Sequence, residues 1–237
     1  MKKAKVLAFD TETDSLDFTQ ANLVGLSVAT DEDNAYYIPV GHDYEGAPKQ
    51  LDRDEVLKKL KPIIEETPLI GQHLKFDRNV LANYDIHLNA IENDTMLMSY
   101  VYDPTATRHN LDAMASHYLN VKTTTFEDVA GKGVKQLTFN QIPLEKASDY
   151  AAEDADITFR CYSHLKPALA KTPSLEKVLH EIELPLVPVL SDMEQAGTLV
   201  NEETLKVQSN NLWQRISGLE EQAYREAGKE FNLASTK

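Results

Sequence analysis

Near the start of the chain, apolar and polar residues alternate in three short runs, and this period of two predicts strands over 4–11, 22–30 and 34–40. Short polar connections join them as an antiparallel meander. The period then lengthens: in "RDEVLKKLKPIIEE" (53–66), Val56, Leu57, Leu60, Ile63 and Ile64 recur at helical spacing. "TPLIGQH" (67–73) predicts a short buried strand, and "KFDRNVLANY" (75–84) a helix with Phe76, Val80, Leu81 and Tyr84 on one side. Helical patterns follow at 94–102 and 110–119, then an irregular stretch at 123–141 and a long helix at 144–170. "KTPSLEKV" (171–178) reads as a boundary, followed by the helical "EIELPLVPVLSDMEQAG" with its two prolines. The last element, at 202–228, is an amphipathic helix with the stripe Leu205, Leu212, Ile216, Leu219 and Ala223. Three strands followed by alternating helix and strand indicate an α/β fold, a mixed central sheet flanked by helices with a C-terminal helical extension. The final stripe meets no later partner in the chain, so a truncated second domain or another subunit is expected to cover it.

One run breaks the pattern. "VLAFDTETDSL" (6–16) passes from an apolar strand directly into Asp10, Glu12 and Asp14. Buried carboxylates are costly unless they are protonated, paired with a cation or bound to metal. Strand alternation puts Asp10 and Glu12 on the same face, with Ala8 and Val6 behind them. By itself this pair could be a strand end turning polar at the surface. The helix at 144–170 adds to it: at ~100° per residue, Tyr150, Asp154, Thr158, Cys161 and Leu165 share an arc with Ala151 and Ala155. Glu153, Asp156 and Arg160 fall on the wetter side. Tyr150 lies one turn before Asp154, placed to address the same ligand or simply to bond it in a core. Asp77 follows a buried strand and borders the apolar side of its helix. Asp94, by contrast, is placed to cap the helix after it.

Four acids brought together without matching bases repel unless divalent cations neutralise them. Oxygen-only ligands select Mg²⁺ or Mn²⁺ over zinc. Two such ions ~4 Å apart would stabilise the attacking and leaving oxygens in phosphodiester cleavage.

Composition narrows the alternatives. Acids outnumber bases 38 to 24, so any nucleic-acid contact must come from local groups such as Lys75, Arg78, Arg108, Lys122, Lys132 and Lys135. The seven histidines show no HExxH or Cys/His spacing, and no GxxxxGK[ST] loop is present. Cys161 is the sole cysteine, which excludes an internal disulfide and fits a cytoplasmic location. No apolar run approaches the ~20 residues of a membrane span, and acids interrupt the first apolar stretch too early for a signal peptide.

"FDTETDSL", "GQHLKFDRNVLANY" and "YAAEDAD", in this order and spacing, resemble the 3′→5′ proofreading exonuclease domain of bacterial DNA polymerase I. That domain belongs to the DEDD exonucleases of the tyrosine subtype, on a ribonuclease-H-like fold. "FEDVAGKG" and "QLTFNQI" fit the same branch, and "EIELPLVPVL" with "FNLASTK" resembles the start of that polymerase's thumb. The resemblance divides the chain into an exonuclease domain (1–172) and the helical start of a truncated polymerase domain (173–237). It implies a metal-dependent exonuclease acting on single-stranded DNA or frayed 3′ ends, with a polymerase domain in cis and a monomeric state. It implies two Mg²⁺ ions, replaceable by Mn²⁺, with Asp10 bridging them. Glu12 and Asp154 would complete the tighter site, and Asp77 would support the second ion through water. Tyr150 would orient the attacking water, a role shared with Glu12. Leu16 and Phe126 match residues that wedge against terminal bases, and Thr13, Gln72 and Arg108 match other substrate contacts. His73 stands where the family often has Asn, and Phe76 where it often has Tyr. The competing implications are a ribonuclease D-type exoribonuclease, which shares the acids, and a catalytically silent DNA-binding module, which would have lost some of them.

Overall fold

In a computed structural model describing residues 4–32 and 34–235, the described strands form one mixed sheet in the order β3-β2-β1-β4-β5. β1 (Leu7–Thr13), β2 (Leu23–Asp31) and β3 (Asn34–Pro39) run antiparallel, as their short polar connections require. β4 (Leu69–Gly71) pairs in parallel with β1, and β5 (Ile91–Asp94) with β4. Parallel neighbours need helical crossovers. α1 (Arg53–Glu66), capped by the Asp52 side chain on Glu55 N, leads into β4, and α2 (Leu74–Ala82) leads from β4 towards β5.

β1 alternates as its sequence predicts. Leu7 and Phe9 pack with Leu60, Ile64, Val80 and Leu81 of α1 and α2 on one face. Ala8 packs on the other face with Ile70, Ala155, Cys161 and Leu165. α6 (Leu144–Leu169) covers that second face, and its buried Ala147, Ala151 and Ala155 let the helix lie close to the sheet. α3 (Thr95–Tyr102) flanks it through Met98 and Val101.

Three local features differ from the sequence expectation. β5 was not foreseen, because "IEND" holds one apolar residue; its strand form comes from pairing with β4, which no local pattern encodes. The helix expected at 110–119 is a short α4 (Leu111–Met114) that widens into a π turn (Ala115–Leu119) and stops at Asn120 with φ 54°. The stretch read as a boundary at 171–178 is itself helical. Thr172 precedes α7 (Pro173–Val178), whose proline occupies the first turn, where no intrahelical donor is needed. α7 continues through a π turn (Leu179–Glu183) into α8 (Leu184–Ala196) without a loop.

The packed unit runs to Ala196, with Leu175, Val178, Leu179 and Leu184 joining the core on the α6 side. The second unit contains α9 (Glu202–Ala227), capped by Asn201 on Thr204 N and ended by Gly228 at φ 67°. Leu205, Leu212, Ile216 and Leu219 are exposed. α5 (Phe126–Ala130) begins with a reciprocal Thr125–Asp128 capping box and starts the irregular stretch at 126–141.

Candidate active site

β1 delivers two acids to the face covered by α6. Asp10 and Glu12 sit two residues apart, and α6 places Tyr150 and Asp154 opposite them. All four line one cleft of about 810 Å³. Leu16, Phe76 and Phe126 form apolar wall, and Thr13 lies on the rim with its Oγ1 donating to Ser15 O at 2.8 Å. Leu16 is 92% exposed and makes no core contact there.

Asp77 enters from the other layer. Residue 11 alternates away from Asp10 and Glu12, towards α2, where Asp77 Oδ1 accepts from Thr11 N at 2.8 Å and from Thr11 Oγ1 at 2.6 Å. Asp77 is buried and thereby clasps the peptide between the two β1 acids. At the start of the same helix, Asp94 accepts from Leu74 N at 2.8 Å and His73 N at 3.2 Å, and also from Met96 N and Leu97 N. One carboxylate therefore caps two helices, which extends its expected role as a cap.

The acids are electrostatically uncompensated. Burial first, and then the Asp154 charge, raise the Asp10 carboxyl to about 8. Burial raises Glu12 well above the ordinary range, with Asp10, Asp154 and Asp77 adding to it. Asp77 is raised by burial and by Asp10, against the two Thr11 bonds that favour its charged form. Burial lifts Asp154 to about 7, although the Tyr150 hydroxyl opposes the shift. Tyr150 is itself raised by burial and by the charges of Asp154, Glu12 and Asp10. The shift favours the protonated hydroxyl.

These residues suit divalent metal in their chemistry. Their donors are acceptor-only oxygens, and Glu12 Oε1 is buried with no hydrogen-bond partner. Among the described residues no three acid, His or Cys groups stand close enough to hold an ion as they are. Unneutralised carboxylates repel, and Asp77 is turned to Thr11. Asp10, Glu12 and Asp154 meet in the cleft, while Asp77 stands behind Thr11 in the other layer.

The remaining expected contacts lie elsewhere. Gln72 is committed to His109 O (2.8 Å) and Thr95 Oγ1 (2.5 Å). His73 is exposed at φ 65°, with Nδ1 3.5 Å from Met96 Sδ. Arg108 is exposed between α3 and α4, and none of the three lines the cleft. Of the bases proposed for phosphates, Lys75 pairs with Glu194, Arg78 with Asp192 and Lys132 with Glu127. Glu153, expected on the wet side, is half-buried and accepts from Thr124 N at 2.7 Å.

Sequence reasoning missed the wall formed by Gln136, Leu137, Thr138 and Phe139. Irregular backbone gives no periodicity to read; the signal was the aromatic in "QLTFNQI". Phe139 is buried and packs on Tyr150 with ring centroids 6.1 Å apart. Tyr37 was also missed. Its ring fills the space over Gly25, which pairs with Glu12 across the sheet, and its hydroxyl bonds His42 Nε2 at 2.8 Å.

A mixed sheet flanked by helices, with acids from the first strand and the long sixth helix meeting in one cleft, defines a nuclease of the ribonuclease-H-like type. A family model described as 3′-5′ exonuclease matches residues 1–170, and the chain belongs to that family, in the form carried by bacterial DNA polymerase I. DNA polymerase I of Pseudomonas aeruginosa is 52% identical over 241 residues, covering 100% of this chain and 26% of that protein. The Rhizobium leguminosarum enzyme is 37% identical, covering 98% and 24%. The chain thus spans about a quarter of the length of the curated relatives it matches. Solved structures agree on the fold. The POL domain of Pol1 from M. smegmatis, in complex with DNA primer-template and dNTP, superposes with TM-score 0.72 at 20% identity, covering 98% of this chain and 36% of that one. Brucella melitensis NrnC superposes at 0.58 and 20% identity, covering 82% and 87%. The family depends on divalent metal, and one NrnC structure carries Mg²⁺. No described helix is long and apolar enough to cross a membrane.

Proposed function

We propose that this chain removes nucleotides one at a time from single-stranded or frayed 3′ ends of DNA, as the editing part of a longer polymerase. The observation that carries this reading is the cleft, in which Asp10, Glu12 and Asp154 face exposed Leu16 and half-buried Phe76 and Phe126. Acids alone would repel a phosphodiester, and apolar wall alone would not cleave one. Together they match a substrate with stackable bases and a backbone that cations must neutralise.

Asp10, Glu12 and Asp154 would hold one divalent ion, with Asp10 shared by a second that Asp77 supports. Bound there, two ions would supply charge neutralisation and an activated water. The chain's own residues do the rest. The Tyr150 hydroxyl, kept protonated, would orient the attacking water, a role shared with Glu12. Leu16 and Phe126 separate the terminal bases, while Phe139 and Phe126 both pack against the Tyr150 ring. A reducing cytoplasm is the proposed setting, a monomer the proposed state, and a polymerase domain in cis the proposed source of substrate. Because Lys75, Arg78 and Lys132 are already paired, the chain alone binds DNA weakly.

The test is single-turnover digestion of 3′-labelled DNA with and without Mg²⁺. Single strands should be cut fastest, a mismatched terminus more slowly and a matched duplex slowest, because unpairing costs least where pairing is already broken. Equal rates on all three would refute editing. Faster cleavage of RNA of the same sequence would favour the ribonuclease D-type reading.

A further inference from the structure

α2 has two working sides. At ~100° per residue, Lys75 and Asn79 lie about 200° from Asp77, so the helix turns its ligand towards β1 and the other two away. The outward side is fastened to α8. Asn79 is buried and bonded at both ends: Oδ1 accepts from Ser191 Oγ at 2.5 Å and Gln195 Nε2 at 3.1 Å, and Nδ2 donates to Glu194 Oε2 at 2.9 Å. Lys75 Nζ pairs with Glu194 Oε1 at 2.5 Å. Arg78 Nη1 reaches Asp192 Oδ1 at 2.8 Å and also Ser191 Oγ. Ser191 has no solvent exposure, and with Val187 it forms the buried stripe of α8.

We infer that Ser191 and Glu194 of α8 are positioning residues for the nuclease site, acting through α2 to hold Asp77 against Thr11 between Asp10 and Glu12. The inference rests on Asp77 serving the proposed reaction. α2 is short, and its N-cap residue His73 makes no side-chain cap bond. Asp94 fixes the start of the helix, and the buried Leu74, Val80 and Leu81 hold its inner side to the core. The polar latch to α8 holds the outward side, through bonds from residues 75, 78 and 79. Catalytic groups must stay within roughly 0.5 Å or 10–20° of their working geometry. A small roll of α2 would carry Asp77 out of that range and loosen the peptide of residue 11 with it. Residues 184–196 lie beyond the 1–170 stretch that the family model matches, so this support comes from outside the matched domain.

The test compares Ser191→Ala and Glu194→Gln with the parent chain, and repeats Ser191→Ala in an Asp77→Asn background. Each single variant should lower the maximal rate roughly tenfold and raise the Mg²⁺ concentration for half-maximal rate several-fold. KM for a short single strand should move less than twofold. The Mg²⁺-induced rise in melting temperature, read without substrate, should shrink in parallel. In the Asp77→Asn background, Ser191→Ala should change the rate less than twofold, because the group it positions is gone. Equal losses in both backgrounds, or a lower melting temperature with unchanged rate and Mg²⁺ dependence, would overturn the latch. Full activity of Asp77→Asn would instead overturn the ligand assignment on which the latch depends, while leaving parental exonuclease activity intact.

Discussion

Asp10 is the residue whose protonation reports most directly on the site. Its folded-state carboxyl is raised from 3.8 to about 8, chiefly by burial and next by Asp154, so the folded state binds this proton more tightly than the unfolded one. Between pH ~4 and ~8, folding stability in the absence of metal therefore falls as pH rises, the sign expected when the native state holds more protons. Asp10→Asn removes that loss. Without metal at pH 7 the variant should melt higher than the parent, by on the order of 2 kcal/mol or about 5 °C. The gap should close as pH falls towards 4, and Mg²⁺ should raise the melting temperature of the parent but hardly that of the variant. A lower melting temperature for Asp10→Asn at pH 7 would make Asp10 a structural residue. The acids themselves were legible in the sequence, because a strand that ends in alternating carboxylates is a local pattern. Tyr37 was not legible, since its approach to Glu12 depends on which strand lies next to which.

At the scale of elements, the pairing of β1 with β2 sets how much room Glu12 has. Gly25 stands opposite Glu12, and a Cβ there would lie 2.1 Å from the Tyr37 hydroxyl and 2.2 Å from its ring. Gly25→Ala must push the Tyr37 side chain aside, break its 2.8 Å bond to His42 and disturb the Phe139 contact behind Tyr150. We expect a loss of about 2 kcal/mol in denaturant unfolding, the usual scale for overpacking, together with at least a tenfold drop in nuclease rate. Tyr37→Ala in the same chain should restore stability in part by clearing the clash; no recovery would show that another neighbour sets the limit. Helix α6 shows the complementary case. Its arc of Tyr150, Asp154, Thr158 and Cys161 follows from periodicity alone, and the buried Ala151 and Ala155 fall where that periodicity puts them. β5 and the π turn do not follow from it, because a one-apolar strand and a widened turn form only against neighbours already in place.

For the whole molecule, the three buried clusters and every candidate ligand lie in the unit that ends at Ala196. A chain ending at residue 196 should therefore keep its melting temperature within about 3 °C and its nuclease rate within about twofold, measured by calorimetry and single-strand digestion. One ending at 172 should not. It would lose Leu175, Val178, Leu179 and Leu184 from the core and Ser191 and Glu194 from α2, exposing apolar surface that burial stabilises at ~25 cal/mol per Å². Equal behaviour of the two truncations would mean that α7 and α8 contribute little.

The sequence by itself determined the layers, the faces of β1 and α6, and the identity of the acids, because these depend on periods of two and 3.6 residues that are local to each element. Only the tertiary structure decided that Asp77 bonds Thr11 from the opposite layer, and that "QLTFNQI" walls the cleft. It also decided that Lys75 and Arg78 serve α8 rather than lying free for phosphate. These are relations between segments distant in sequence, with partners up to 119 residues apart, so they exist only once the sheet order has been chosen and the helices have closed over it.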